Sequence, residues 1–110
     1  VRNADVVRSA FRAYLDGDQA QAQSLYSHDL VFSSPQDDHI GRDVFFDRCF
    51  PTATRFSYFQ LLQVVELGSS DVLVLYEYEL ASGERFRNTE IISVHDGKIV
   101  EVQVFFGGRV

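Results

Sequence analysis

The sequence predicts an α+β fold, with three N-terminal helices packed on the concave face of one strongly curved antiparallel sheet. Three observations predict it. Apolar residues recur at helical spacing over the first fifty positions. From Arg55 onward the period becomes that of strands, in segments near 55–67, 72–80, 84–94 and 98–106 that are rich in Val, Ile, Leu, Tyr and Phe. Gly68 to Asp71, Ala81 to Gly83 and His95 to Gly97 separate those segments and read as hairpin turns. Helices first and a meander afterwards place the helices on one face of the sheet.

Asn3 to Leu15 is the first helix. Val7, Ala10, Phe11, Tyr14 and Leu15 form its apolar stripe, and Gly17 is placed to end it. Asp18 can cap a short second helix, with Gln21 in the capping-box position and Ala22 and Leu25 facing inward. Leu30 to Ser34 is a strand stopped by Pro35. A polar loop, Gln36 to His39, leads to a third helix from Gly41 to Phe50. That helix carries Val44, Phe45, Arg48 and Cys49 on one side and ends at Pro51. A chain of 110 residues fits one domain, 1–110, whose core can be stable without metals or disulfides.

Composition narrows the function. The net charge of -6 argues against nucleic acid as a partner, because nonspecific affinity for phosphates comes from Lys and Arg. No apolar run approaches the roughly 20 residues that span a bilayer, so no membrane partner is expected. Cys49 is the sole cysteine, which makes a reducing compartment, the cytoplasm, the default. The first residues show neither a signal-peptide pattern nor an initiator Met, so a trimmed chain is expected. His28, His39 and His95 are far apart and no Cys/His cluster has zinc spacing, so neither metal nor cofactor is expected.

The order of these elements carries a resemblance over nearly the whole chain. A helix ending at Gly17-Asp18, a strand stopped by Pro35, Gly41-Arg42-Asp43 opening a third helix, and a hairpin running from Asn88 through Gly97-Lys98-Ile99 to Gly107 are together similar to the nuclear transport factor 2-like, or SnoaL-like, superfamily. Ser34 to Ile40 resembles the Ser-Pro-x-Asp-Asp-x-Ile of a bacterial subgroup, a likeness that brings no reaction with it. The resemblance implies a cystatin-like cone whose interior is a small-molecule pocket, and relatives that dimerise through the outer sheet face. Ketosteroid isomerases share this fold, but the match to their site is poor. The base position falls on Ser34, the helix-one tyrosine position falls near Ala10 with Tyr14 one turn later, and the protonated acid falls on Glu90, as a homologous acid, if the hairpin turn is shortened by one residue. Polyketide cyclases of the SnoaL type need one well-placed acid to protonate an enolate.

Turn chemistry decides which side chains face that pocket. A two-residue turn at Asp96-Gly97 would pair Glu90 with Gln103. A three-residue turn over His95 to Gly97 would pair Glu90 with Val102 and Ile92 with Val100, and it turns the apolar face of Val100, Val102, Val104 and Phe106 inward. The three-residue turn is preferred on that ground. The same turn type at Ala81 to Gly83 sends Val72, Val74, Tyr76, Tyr78 and Leu80 inward, and Glu77 and Glu79 outward. The expected pocket is then apolar and aromatic, lined by Tyr76, Tyr78, Asn88, Val102, Val104 and Phe106, with Glu90 at its polar centre.

A carboxyl buried without a cation has a raised pKa and can donate a proton. The alternative is an ion pair with a cation such as Arg48. Asp37, Asp38 and His39 are the second candidate constellation, carboxylates beside an imidazole near the expected rim, and the alternative there is a solvated loop in which Asp38 caps the next helix. Cys49 reads as a small buried hydrophobe. Ile91, Ile99 and Phe105 point outward beside Thr89, Glu101 and Gln103, a mixed patch that suits a homodimer interface. Two functions stay open: an acid/base enzyme on a small hydrophobic carbonyl compound, with Glu90 as donor, and a noncatalytic binder of a small apolar ligand. A dimerisation module is the third.

Overall fold

The computed structural model describes residues 2–110. In chain order the elements are α1 (Asn3–Asp16), α2 (Gln19–Leu25), β1 (Tyr26–Ser33), α3 (Arg42–Arg48), a 3-10 segment (Phe50–Arg55), β2 (Phe56–Leu67), β3 (Asp71–Leu80), β4 (Arg85–His95) and β5 (Lys98–Arg109). The sheet runs β1-β5-β4-β3-β2. It is curved and unclosed, and all pairings are antiparallel except one. The exception is the edge strand β1, which lies parallel to β5. β1 also begins earlier than expected, at Tyr26. Its Ser27-His28-Asp29 stretch lacks strand propensity, and the ladder is irregular there, between Tyr26 and Val31.

The helices bury most of the stripes that the sequence gives them, but Leu15, expected in the stripe of α1, is 40% exposed in the helix's last turn. Val7, Ala10 and Phe11 of α1 join Val72, Val74, Tyr76, Ile92, Val94 and Val102 of the sheet in one core. Asp18 accepts a hydrogen bond from the Gln21 backbone N–H and caps α2. α3 is shorter than expected, because the chain tightens into the 3-10 segment around Pro51. Its buried residues are Phe45 and Phe46, whereas Val44 is exposed. Phe46 wins the inner face because it meets the rings of Tyr26, Phe45 and Phe50.

The β3–β4 turn uses three residues, as expected, with Tyr78 opposite Phe86. The β4–β5 turn differs. His95 pairs with Lys98, which leaves Asp96 and Gly97 as a two-residue turn, both with positive φ (51° and 75°). This is the backbone of a type I′ hairpin, where Asp-Gly is favoured because its twist matches the strands. Val94 then faces Ile99 while Ser93 faces Glu101, so Val100 is one extra residue, a β-bulge. The bulge shifts the register by one more place, giving Glu90 opposite Val104 and Ile92 opposite Val102. Two one-residue shifts cancel in facing, so Glu90, Val102 and Val104 still point inward although their expected partners were wrong. Ile99, on the turn side of the bulge, points inward as well and is fully buried, which corrects its placement on the outer face.

On that outer face Glu77 is buried, held by Arg87 Nε at 2.9 Å and Arg85 Nη1 at 3.3 Å. Gly107 packs its Cα hard against the Arg87 carbonyl, in the second irregularity of the β4–β5 ladder, where a Cβ would overlap the backbone.

Candidate functional site

Between the concave sheet face and the helices lies a cavity of about 470 Å³. Strand alternation builds its floor. Tyr76 on β3, Asn88 and Glu90 on β4, and Val102 and Val104 on β5 all project to the same side. α1 closes one wall with Ala10, Phe11 and Tyr14. Aromatic rings pack against one another in the lining: Phe59 stacks on Tyr76 at 5.0 Å and Phe11 lies tilted against it at 5.6 Å, centroid to centroid.

Glu90 is the polar centre. Its sheet neighbours Val74 and Val104 offer no hydrogen bond. The Tyr76 hydroxyl donates to Glu90 Oε2 at 2.7 Å, and Asn88 Nδ2 donates to the Tyr76 oxygen at 3.4 Å. Asn88 Oδ1 in turn accepts the Gly107 N–H at 3.3 Å, so a relay running from the β5 backbone fixes the carboxyl. Among the described residues Glu90 Oε1 has no protein partner. The group is only half-buried by accessible surface, yet protein surrounds it, because the surface it exposes is cavity surface. Burial pushes its pKa up to about 7, and the Tyr76 hydrogen bond opposes the shift. With Oε2 occupied as an acceptor, the proton of the neutral acid belongs on Oε1, the oxygen facing the cavity.

Burial also raises the Tyr76 and Tyr26 phenols, and the Glu90 charge raises them further, so both stay neutral hydrogen-bonding groups. Tyr14 is pushed up to about 12 by burial. Its hydroxyl is 2.6 Å from Thr52 Oγ1, whose own proton goes to the Cys49 carbonyl at 2.7 Å. Tyr14 must therefore be the donor of that pair, which leaves its oxygen as an acceptor.

Glu90, Tyr76, Tyr78, Asn88, Val102, Val104 and Phe106 all line the cavity. Phe106 is 49% exposed and stands at the mouth. Asp38 and His39 do not line it. Their side chains pair with each other at 2.5 Å in solvent, 89% and 69% exposed. The cause is local. Ser34 and Asp37 exchange backbone hydrogen bonds and Phe32 bridges back to Ile40, which turns Asp37 inward and the next two residues out. Asp38 does not cap α3 either; Gly41 occupies that position.

Of the Asp37, Asp38 and His39 constellation only Asp37 lines the cavity. Its side chain is 10% exposed and its Oδ1 lies 2.7 Å from Arg48 Nη2, an ion pair whose angle falls short of a hydrogen bond. Arg48 thus serves Asp37 and not Glu90. The Ser34 to Asp37 spacing, a common side-chain-capped turn, was the available signal. Cys49 sits beside this pair, half-buried, its thiol pushed up to about 11 by burial and by the Asp37 charge. Among the described residues no group of three or more His, Cys, Asp or Glu could hold a metal ion. No helix among them is long and apolar enough to cross a membrane.

A family profile described as SnoaL-like domain matches residues 7–102. No curated protein matches the chain. Among solved structures, a protein from Kribbella flavida DSM 17836 superposes with a TM-score of 0.84 at 22% identity, covering 93% of this chain and 84% of that one. A protein of unknown function with a cystatin-like fold from Xanthomonas campestris gives 0.82 at 23%, covering 99% and 93%. A candidate ketosteroid isomerase from Kribbella flavida DSM 17836 gives 0.77 at 15%, covering 94% and 76%. At these identities the likeness establishes the fold alone.

Proposed function

The chain belongs to the SnoaL-like domain family, and from that premise we propose that it is a small-molecule pocket protein, an acid/base isomerase or cyclase acting on a small hydrophobic carbonyl compound. The observation that carries the proposal is the Glu90 carboxyl, held by Tyr76 in an apolar cavity with one oxygen free to meet a ligand. A group titrating near neutrality can both give and regain a proton. In the step envisaged, the Glu90 O–H bond breaks and its proton passes to the ligand's carbonyl or enolate oxygen. The carboxylate left behind keeps the Tyr76 hydrogen bond, and it is reprotonated by a proton released from the ligand's carbon or from water. Tyr78, Asn88, Val102, Val104 and Phe106 would position and desolvate the ligand.

A noncatalytic binder of a small apolar ligand is the second reading. It is favoured by Ser34 standing where ketosteroid isomerases carry their base, and by Asp38 and His39 facing solvent. Thermal melts of the wild type and Glu90→Leu, with and without a panel of small hydrophobic ketones, separate these cases. Retained or raised stability with loss of ligand response supports the pocket role of Glu90, and turnover in the wild type alone supports catalysis. Lower stability with no ligand effect rejects the catalytic reading.

We also propose a homodimer through the outer sheet face. Phe105, 51% exposed, and Val65, 41% exposed, flank the half-buried Leu73, Leu75 and Ile91 there. A monomer in sedimentation at micromolar concentration counts against it.

A further inference from the structure

We infer that the ligand of this cavity carries one anionic group on its apolar body, and that Arg55 at the mouth receives that group. This rests on the pocket reading above and adds to it a substrate class. Four side chains that line the cavity belong to acidic or basic residues: Asp37, Arg48, Arg55 and Glu90. Glu90 is enclosed by apolar neighbours, which favours its neutral form. Asp37 and Arg48 cancel each other at 2.7 Å. Arg55 remains. Among the described residues it makes no ion pair and no side-chain hydrogen bond, so one positive charge in the lining is uncompensated.

That charge stands out against a chain of net charge -6, whose field repels anions elsewhere. Its placement is fixed by the fold. Arg55 ends the 3-10 segment and is followed by Phe56, whose ring packs 4.9 Å from Tyr78 in the cavity wall. It is exposed, which puts it at the mouth, and it lines the same cavity as Tyr14. A ligand with its carbonyl at Glu90 and a carboxylate toward solvent would meet a hydrogen-bonding acid at one end, aromatic walls along its body and a guanidinium at the other.

The test uses a matched pair, 3-benzoylpropionate and its methyl ester, titrated calorimetrically into the wild-type protein, Arg55→Gln, Arg55→Glu and Glu90→Leu. Arg55 is exposed, so its variants keep the fold. Arg55→Gln should weaken the carboxylate about fivefold, the scale of an exposed ion pair, and leave the ester unchanged. Arg55→Glu should weaken the carboxylate further, and raising salt from about 50 mM to about 1 M should erase the wild-type preference. Equal carboxylate affinity in wild type and Arg55→Gln overturns the inference, as does an equal loss for the ester. If the ester binds in a Glu90-dependent way while Arg55 has no effect, this inference fails and the pocket reading stands. If neither compound binds the wild type, both fail.

Discussion

Glu90→Gln isolates the energetic signature of the candidate acid. Burial holds this carboxyl at about 7, against 4.5 for the group in an unfolded chain. A carboxyl whose folded pKa is raised binds its proton more tightly in the folded state. Below pH 4.5 both states are protonated and the group is neutral toward stability. Between 4.5 and about 7 the unfolded chain loses the proton and the folded one keeps it, so stability falls as pH rises. Above about 7 the full cost is present, and at ~1.4 kcal/mol per pH unit it comes to about 3 kcal/mol. Glutamine has nearly the same shape, stays neutral, and can still accept the Tyr76 hydrogen bond. The variant should therefore match the wild type near pH 4.5 and exceed it by about 3 kcal/mol at pH 8. Urea denaturation of both proteins at a series of pH values measures this, and the difference between them removes the titration of every other group. Parallel curves for the two proteins would refute the reasoning, because they would mean that Glu90 is solvated. Turnover, where found, should be lost in the same variant that gains stability.

Glu77→Ala removes the carboxylate held between Arg85 and Arg87 on the outer face and should cost about 1–3 kcal/mol by denaturation, since the two arginines are partly exposed and recover water. Gly107→Ala drives a methyl into the Arg87 carbonyl and should cost about 1–3 kcal/mol, with loss of amide protection along β5 in hydrogen exchange. Ile99→Ala, at a fully buried position that the sequence placed outside, should cost about 2–5 kcal/mol, whereas an outer-face side chain would give less than about 1. At pH 8 Cys49 should alkylate about a hundredfold more slowly than an unshifted thiol, because reactivity follows the thiolate fraction.

Much of this protein was legible in its sequence because the deciding physics was local. Period and turn chemistry located three helices, three strands to within one residue and the start of β5, and the three-residue turn at Ala81 to Gly83. Alternation along β4 and β5 put Glu90, Asn88, Val102 and Val104 on one face. That placement survived a wrong turn because facing depends only on whether the register shift is odd or even.

The tertiary structure decided the rest. The bulge at Val100 reconciles the tight Asp96-Gly97 turn with an apolar inner face, and it carries Ile99 inward on a criterion that neither turn nor pattern alone contains. β1 pairs with β5, some seventy residues away, and no local signal specifies a parallel edge of that separation. The Ser34–Asp37 turn and the Phe32–Ile40 bridge send Asp37, not Asp38 and His39, into the cavity and onto Arg48. The residue types of the site can be read from a string of letters. Which acid lies in an apolar environment, which finds a cation and which meets water depend on distances between segments remote in the chain, and those distances set the desolvation and Coulomb energies that give each group its chemistry.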